Sequence, residues 1–184
     1  SYKIFCYLYE KNVKQIVLPE LVTNSMLKMK KVYSYPLEWI PRYYAAGSVV
    51  KRFGFMEGYK FKKPLLKIDY KTNTEDYLIT DEFIIELGLL NATELQNAKK
   101  LCMEIANILK TFFLSKELVL WDFKLELGKN YDGTLCLIDE ISFDGMRLKD
   151  SNTGESLDKD IYRQTGDIEK LIKAYQAGYE RLFG

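Results

Sequence analysis

Histidine is absent from all 184 residues of the chain, and this absence removes several classes of enzyme from consideration. Without imidazole there can be no Ser-His-Asp or Cys-His catalytic set, no histidine base and no histidine ligand for zinc. Any metal that the protein binds should therefore be a hard cation with oxygen ligands, such as Mg²⁺.

Cysteine is scarce, and no two cysteines have the close spacing of a metal-binding pair. The chain has three cysteines, Cys6, Cys102 and Cys136, which are far apart and lie among apolar neighbours. An odd number of buried thiols is typical of reduced core residues in a cytosolic protein. The sequence therefore predicts a cytoplasmic protein without a disulfide framework or a cysteine-ligated metal.

The chain also lacks a dominant charge and any long apolar run. Its net charge is +1, with 47% hydrophobic and 29% charged residues, which is typical of a soluble globular protein. No stretch approaches the roughly 18–20 apolar residues of a membrane span, and no signal peptide is recognisable. We therefore expect neither nucleic acid nor a membrane among its partners, and the length suits one domain or slightly more.

Residues 121–128 form the most informative segment that is present. Side chains alternate in direction along a strand, so Asp122, Lys124 and Glu126 should share one face opposite an apolar face. An apolar return strand ends at Asp139, which would bring a third carboxylate close to Asp122 and Glu126. This concentration of negative charge would need a compensating cation. A divalent metal with a polyphosphate satisfies that need, although cross-strand pairs on a solvated face show the same alternation.

The rest of the pattern predicts an α+β protein with antiparallel strands and flanking helices. Proline at position 36 predicts an interruption between two extended segments, and Asn91 with Glu94 has the spacing of a capping box that begins the longest helix. Helices are predicted over residues 1–11, 48–53, 81–88, 91–112 and 167–183, and strands over residues 15–18, 25–33, 36–42, 65–70, 121–128 and 134–138. The side chains predicted to be buried on the last helix are Ile168, Leu171, Ile172, Tyr175, Tyr179 and Leu182.

Several motifs then occur together in a characteristic order. They are Pro36-Leu37-Glu38 with Arg42, residues 45–48 with Lys51-Arg52, residues 122–128, residues 139–147, and Leu157-Asp158-Lys159-Asp160 with Tyr162-Arg163-Gln164. In this combination and at this spacing the chain resembles the SAICAR synthetase family, the phosphoribosylaminoimidazole-succinocarboxamide synthases of purine biosynthesis. The resemblance covers nearly the whole chain from about residue 25.

The resemblance implies a two-lobed ATP-binding fold related to kinase-like proteins. Residues 1–34 would be the remainder of the N-terminal lobe and the hinge, and residues 35–184 the C-terminal lobe. ATP with Mg²⁺ would activate the carboxylate of carboxyaminoimidazole ribonucleotide (CAIR) as an acyl phosphate, and the amine of L-aspartate would displace phosphate to form the amide. Such chemistry depends on positioning and charge neutralisation, so it does not require histidine.

The resemblance also assigns roles to residues that bind the nucleotide and carry the reaction. Lys124 would neutralise the transferring phosphoryl group or the substrate carboxylate, and Asp122 would orient it or hold the incoming amine. Glu126 and Asp139 would hold the metal and the nucleotide. The remaining candidates for the nucleotide pocket are Lys30, Val32 and Ser34.

A second group of residues matches the substrate-binding positions of the family. Arginine's planar fork suits bidentate contact with carboxylate or phosphate, and a serine at a helix start offers donors to a phosphate. The candidates are Arg42, Ser48, Lys71, Asp76, Arg147, Lys159 and Arg163. Ordinary surface charge, a simple helix cap at Ser48 and an internal salt bridge at Lys124 are the structural alternatives.

The chain departs from the family pattern near its start. Members of the family begin with a glycine- and lysine-rich loop over the nucleotide phosphates, whereas no glycine precedes Gly47 here. We therefore expect an N-terminal lobe that is incomplete in this sequence. An inositol-phosphate-type kinase and a non-catalytic nucleotide-binding remnant stay open as alternatives, and so does association into a homo-oligomer.

Overall fold

The computed structural model describes residues 1–13, 20–23 and 26–184. Its helices are α1 (Tyr2–Glu10), α2 (Ser48–Phe53), α3 (Asp81–Glu86), α4 (Ala92–Leu114), α5 (Asp160–Thr165) and α6 (Ile168–Phe183). Its strands are β1 (Glu20–Thr23), β2 (Met26–Lys28), β3 (Tyr33–Tyr44), β4 (Lys60–Lys71), β5 (Asp76–Leu78), β6 (Leu118–Phe123), β7 (Leu125–Lys129), β8 (Leu135–Ile138) and β9 (Met146–Asp150). The predicted α+β class with antiparallel pairing and flanking helices is confirmed.

Most predicted elements occur, with shifted ends. The predicted helices at residues 1–11, 48–53 and 81–88 correspond to α1, α2 and α3. The strand predicted at residues 65–70 is the second half of the longer β4. The strand predicted over residues 25–33 is only partly present, as β2. The strand predicted at residues 15–18 lies outside the described residues.

The chain forms two compact units, each assembled from three segments. The first unit comprises Ser1–Ile40, Leu66–Ala106 and Lys124–Ile141, and the second comprises Pro41–Leu65, Asn107–Phe123 and Ser142–Gly184. Strands β3 and β4 and helix α4 each contribute residues to both units. The lobe boundary predicted after residue 34 remains a prediction.

In the first unit, β7 pairs with the early part of β3 and forms a hairpin with β8. The β3–β7 pairing is antiparallel and sets Glu38 opposite Glu126. A hydrogen bond from Asn130 N to Thr134 O (2.9 Å) closes the hairpin turn. The predicted return strand is therefore confirmed as β8, and Asp139 follows directly after its last residue.

Strand β3 continues through Pro36, so the predicted interruption there is wrong. The pairing with β7 instead shifts its register between Ser34 and Glu38, an irregularity that accommodates a residue with no N–H to donate. Gly128 lies opposite Ser34, and a Cβ at Gly128 would stand 2.7 Å from the Tyr33 carbonyl oxygen. Glycine at this position permits the close approach of the two chains.

In the second unit, β6 pairs on one side with the end of β3 and on the other with β9. The registers set Arg42 opposite Asp122 and Asp122 opposite Arg147. Three neighbouring strands therefore present three charged side chains in one row, because directly opposed residues of paired strands point to the same side of a sheet. This row is the basis of the site described below.

Helix α6 buries a different face from the one predicted. Its buried residues are Ala174, Gly178 and Leu182, and a Cβ at Gly178 would lie 2.9 Å from the Phe143 ring. The small residues Ala174 and Gly178 let the aromatic ring approach the helix axis, so the helix face that carries them is buried. Leu182 was predicted correctly, but three larger apolar side chains are exposed by half or more: Ile168, Ile172 and Tyr179.

The three thiols are free, and two of them, Cys102 and Cys136, are buried as predicted. Burial raises the pKa of both of these thiols, which keeps them protonated at neutral pH. Within the described part of the chain, no helix has the length and apolar character needed to cross a membrane.

Candidate functional site

The charged row of the second unit is the centre of an arginine cluster, which consists of Arg42, Asp122, Arg147, Asp160 and Arg163. Nη1 of Arg42 lies 2.8 Å from Oδ2 of Asp122, and Nη1 of Arg147 lies 3.1 Å from each oxygen of the same carboxylate. On its other side, Arg147 donates from Nε to Oδ2 of Asp160 at 2.6 Å. Arg163 also donates to Asp160, at 3.1 Å.

The centre of this cluster is buried, which gives its charges more weight than surface charges have. The side chains of Arg42 and Asp122 are each 4% exposed, and that of Arg147 is 13% exposed. Burial alone would lower the pKa of Arg147, but the charges of Asp122 and Asp160 outweigh it and raise that pKa. Three arginines surround two carboxylates, so the cluster carries a positive charge that an anion can neutralise.

A glycine-containing turn is fixed to the arginine cluster. Arg42 donates from Nη1 to the carbonyl oxygen of Ala46 at 2.5 Å. Gly47 has φ +58°, and a Cβ there would stand 2.8 Å from Nη2 of Arg147. Any side chain at Gly47 would therefore displace the guanidinium. Ser48 follows directly as the first residue of α2, half-buried, with Gly47 rather than Ser48 as the helix cap.

The first unit carries a second charged group, the lysine–carboxylate cluster, which consists of Glu38, Lys71, Lys124, Glu126 and Asp139. Lys124 lies between the ends of β6 and β7, and its Nζ is 3.4 Å from Oε1 of Glu38 and 4.0 Å from Oδ2 of Asp139. Lys71, at the end of β4, forms an ion pair with Glu126. Asp139 has φ +62°, a left-handed conformation that turns the chain sharply after β8.

The electrostatics of this cluster depend on competition between burial and charge. Burial acts to lower the pKa of Lys124, but the carboxylates of Glu38 and Asp139 outweigh it, so the pKa is raised and the ammonium stays charged. Burial raises the pKa of Glu126, and the nearby charge of Asp139 raises it further against the opposing effect of Lys71. Two carboxylates that repel each other in this way would both gain from a shared cation.

Two carboxylates of this cluster could contribute ligands to a metal ion that also binds phosphate oxygens. Among residues 1–13, 20–23 and 26–184, no group of three or more histidine, cysteine, aspartate or glutamate side chains is placed to hold a metal ion. Magnesium commonly binds through one or two carboxylates together with substrate phosphates. Glu126 and Asp139, whose charges interact, provide such a pair.

The structure brings most of the predicted site residues into these two clusters. Arg42, Asp122, Arg147 and Arg163 join the arginine cluster, and Lys71, Lys124, Glu126 and Asp139 join the lysine–carboxylate cluster. Asp122 and Glu126 are 3% and 6% exposed, so the alternative of a solvated strand face is wrong for them. Asp122 pairs with arginines, and the carboxylates that contact Lys124 are Glu38 and Asp139.

The remaining candidates lie at less distinctive positions. Asp76 is exposed in β5 opposite Lys71. Lys30 is exposed, Val32 packs against buried Cys136 and Ile138, and Ser34 lies opposite Gly128. Lys159 is half-buried directly before α5.

Sequence reasoning missed Glu38, Asp158 and Asp160 as members or supports of the site. All three belong to the motifs that carried the family resemblance, which was the signal available. Asp158 is completely buried, and Asp160 is 8% exposed. Two aspartates separated by one residue at the start of a short helix indicate backbone hydrogen bonding, but they do not reveal which side chains they support.

Comparison with known proteins identifies the family of the chain. The sequence profile of the SAICAR synthetase family matches residues 1–182. A phosphoribosylaminoimidazole-succinocarboxamide synthase of a Thermoanaerobacter species is 42% identical over 98% of this chain and 76% of its own length.

Solved structures give the same result. The crystal structure of phosphoribosylaminoimidazole-succinocarboxamide synthase from Ehrlichia chaffeensis superposes with a TM-score of 0.92 at 33% identity, over 99% of this chain and 77% of that one. A SAICAR synthetase in complex with ADP superposes with a TM-score of 0.90 at 36% identity, over 98% and 76% of the two chains. The chain therefore belongs to the SAICAR synthetase family, the ATP-dependent ligases of purine biosynthesis that its motifs predicted.

Proposed function

We propose that the two clusters divide the ligase reaction between them. The arginine cluster binds the anionic groups of CAIR, and the lysine–carboxylate cluster binds the phosphates of ATP with their magnesium. The observation that carries this assignment is the convergence of Arg42 and Arg147 on Asp122, with the Gly47 backbone lying directly against the Arg147 guanidinium.

The arginine cluster suits a phosphate or carboxylate because its guanidiniums are already fixed before a ligand arrives. Asp122 and Asp160 hold Arg147 from two sides, which restricts the rotation of its side chain. A preorganised donor loses little conformational entropy when it binds an anion. Ser48 and the adjoining backbone of α2 add hydroxyl and N–H donors next to the same guanidinium, and Lys159 and Arg163 supply further positive charge.

The lysine–carboxylate cluster suits the nucleotide. Glu126 and Asp139 would hold Mg²⁺, which when bound would neutralise phosphate charge during transfer. Lys124 would then lie beside the metal-bound phosphates and offer its ammonium to the transferring group. A relative at 36% identity was solved with ADP, which supports nucleotide binding here. We place the adenine near Val32 and Ser34, with Lys30 close to the nucleotide, Lys71 as a counter-charge to Glu126, and Asp76 beside Lys71.

In the proposed sequence, a carboxylate oxygen of CAIR attacks the γ-phosphorus of ATP, and ADP leaves. The resulting acyl phosphate is attacked at its carbonyl carbon by the amine of L-aspartate. The amine loses a proton, inorganic phosphate leaves and the amide of SAICAR remains. Lys124 stabilises negative charge on the transferred phosphoryl group, which is the part of this reaction that side chains influence most.

The three free thiols support a reducing, cytoplasmic setting.

The experiment that tests this function measures ADP and amide product with ATP, Mg²⁺, CAIR and L-aspartate, omitting one component at a time. We expect amide formation to need all four, with one ADP released for each amide. Release of ADP with an inositol phosphate in place of CAIR would indicate the kinase alternative. Nucleotide binding without ADP release under any condition would indicate a non-catalytic remnant.

A further inference from the structure

A second aspartate, Asp158, lies behind the arginine cluster and takes no part in its ion pairs. Its side chain has no exposed surface, and each of its carboxylate oxygens accepts a hydrogen bond from a backbone amide. Oδ2 accepts from the N–H of Leu148 at 2.8 Å, and Oδ1 accepts from the N–H of Asp160 at 2.8 Å. A completely buried carboxylate is rare unless its oxygens are used in this way.

The two amides that Asp158 holds belong to the two chain segments that carry one ion pair. Leu148 follows Arg147 in β9, and Asp160 is the carboxylate that accepts from Nε of Arg147. A further backbone hydrogen bond, from Leu157 N to Leu148 O at 2.9 Å, ties the same segments together. Asp158 thus fixes the separation between the backbone at Arg147 and the backbone at Asp160.

We propose that Asp158 is a positioning residue for the anion site: it holds Asp160 where that carboxylate orients the Arg147 guanidinium toward the phosphate or carboxylate of CAIR. The inference rests on the proposed function of the arginine cluster. It adds to that function a residue that touches no ligand and acts through its neighbours. Preorganisation of a binding group commonly depends on such supporting hydrogen bonds.

The surroundings of Asp158 make this support sensitive to pH. Asp160 from α5, Lys149 from β9 and Tyr175 from α6 all interact electrostatically with it. Burial, opposed by the hydrogen bonds from the two amides, raises the pKa of Asp158 to about 6. Once protonated, the group has a hydroxyl oxygen that accepts more weakly than a carboxylate oxygen, so one of the two amide hydrogen bonds is weakened. Orientation of Arg147 should therefore weaken below that pH.

Substitution of Asp158 by asparagine tests the proposal, because an amide keeps the shape but offers only one acceptor oxygen. We expect Asp158→Asn to raise the KM for CAIR about tenfold, the size of effect that loss of a hydrogen bond to a charged group produces. The KM for ATP and kcat should change less than about twofold.

Asp150→Asn is the matched control. Asp150 lies in β9, the strand of Arg147 and Leu148, and is also buried. It accepts from the N–H groups of Asn152 and Thr153, but it pairs with Arg181 rather than with the arginine cluster. We expect it to leave the KM for CAIR near the wild-type value. Equal effects of Asp158→Asn and Asp150→Asn on that KM would overturn the proposal and leave the proposed function intact.

The pH profile provides a second measurement that stays available if Asp158→Asn fails to fold. The phosphate of CAIR titrates near pH 6 and contributes one proton to the acid limb of log(kcat/KM) for CAIR in every variant. In the wild type, protonation of Asp158 should add a further fall of about tenfold and make the limb steeper than a slope of one just below pH 6, whereas Asp160→Asn, which breaks the link through which Asp158 acts, should keep a slope of one. Equal slopes in the two proteins would overturn the proposal.

Arg147→Ala separates this inference from the function on which it rests. The variant should raise the KM for CAIR more than Asp158→Asn does, because it removes the binding group itself. If Arg147→Ala left the KM for CAIR unchanged, the proposed function of the arginine cluster would fail and the role of Asp158 with it.

Discussion

Asp122 shows how one buried carboxylate can determine the position of two cations. It accepts from Arg147 through both oxygens and pairs with Arg42, and its side chain is 4% exposed. Removing one member of such a buried ion-pair group leaves the remaining charges without compensation. This lowers the free energy of unfolding far more than the loss of a surface ion pair does. In this family member, we therefore infer that Asp122 acts first by holding the arginines.

Lys124 is the residue whose removal should affect turnover most directly. We expect Lys124→Ala to reduce kcat by about 10²–10³, the loss typical of removing one group that stabilises charge in a transition state. The KM for CAIR should change little, because Lys124 is assigned to the nucleotide rather than to the arginine cluster. Steady-state kinetics with each substrate varied in turn measure both quantities.

Lys129→Ala is a suitable control for that variant. Lys129 is the last residue of β7, the strand that Lys124 directly precedes. Its side chain is 34% exposed against 31% for Lys124, and it too pairs with a glutamate, Glu94. Its substitution should leave kcat within about twofold of the wild type. A folded Lys124→Ala protein with the kcat of Lys129→Ala would contradict the role assigned to Lys124.

At the scale of secondary structure, the sequence alone correctly predicted how α4 begins. The Asn91 side chain accepts from the N–H of Glu94 at 2.9 Å, and the Glu94 carboxylate accepts from the N–H of Asn91 at 3.0 Å. This reciprocal pair is the capping box that the spacing predicted. It was predictable because every atom involved lies within four consecutive residues.

Asn91→Ala should lower the free energy of unfolding by about 1 kcal/mol, since it leaves an N–H at the helix start without its side-chain acceptor. Urea unfolding monitored by circular dichroism measures the change. Asn97→Ala makes the same substitution at an exposed position inside the same helix. There the higher helix propensity of alanine should leave stability unchanged or slightly raised. Equal losses in the two variants would contradict the capping role.

Other features of the fold could not be predicted, because they depend on contacts between segments that are distant in the sequence. The single strand face predicted for Asp122, Lys124 and Glu126 is wrong, because the strand is interrupted at Lys124 between β6 and β7. Asp122 pairs with arginines from β3 and β9, whereas Lys124 and Glu126 belong to the lysine–carboxylate cluster. Pro36 signalled an irregularity, and only the pairing with β7 showed that a register shift accommodates it. The buried line of α6 follows small residues because Gly178 admits the Phe143 ring, whereas a hydrophobicity pattern favours large side chains.

At the scale of the whole molecule, family motifs carried more functional information than periodicity did. Glu38, Asp158 and Asp160 show no periodic pattern that identifies them in the sequence. Their importance follows from three-dimensional contacts with Lys124, Leu148 and Arg147. The residues of the candidate site were therefore predictable as a set of motifs, but their grouping into two clusters required the structure.

Ionisation of Asp158 should affect the stability of the whole protein with a sign opposite to that of a carboxylate whose pKa is lowered on folding. Its pKa of about 6 exceeds the value of about 3.9 in an unfolded chain. The native state therefore binds more protons than the unfolded state between these two pH values. The contribution of this group to stability is fully present below about pH 4 and is lost as pH rises through 6. By contrast, backbone N–H groups from Thr153 and Asn152 lower the pKa of Asp150, so its contribution is lost as pH falls.

The difference in unfolding free energy between the wild type and Asp158→Asn isolates this effect. We expect the wild type to gain about 2 kcal/mol relative to the variant when the pH is lowered from 7.5 to 4.5. The corresponding difference for Asp150→Asn should stay nearly constant over this range, because the pKa of Asp150 is lowered and its carboxylate remains ionised at pH 4.5. Urea unfolding at four pH values across this range measures both differences. Parallel stability curves for the wild type and Asp158→Asn would show that Asp158 titrates in the folded protein as it does in the unfolded chain.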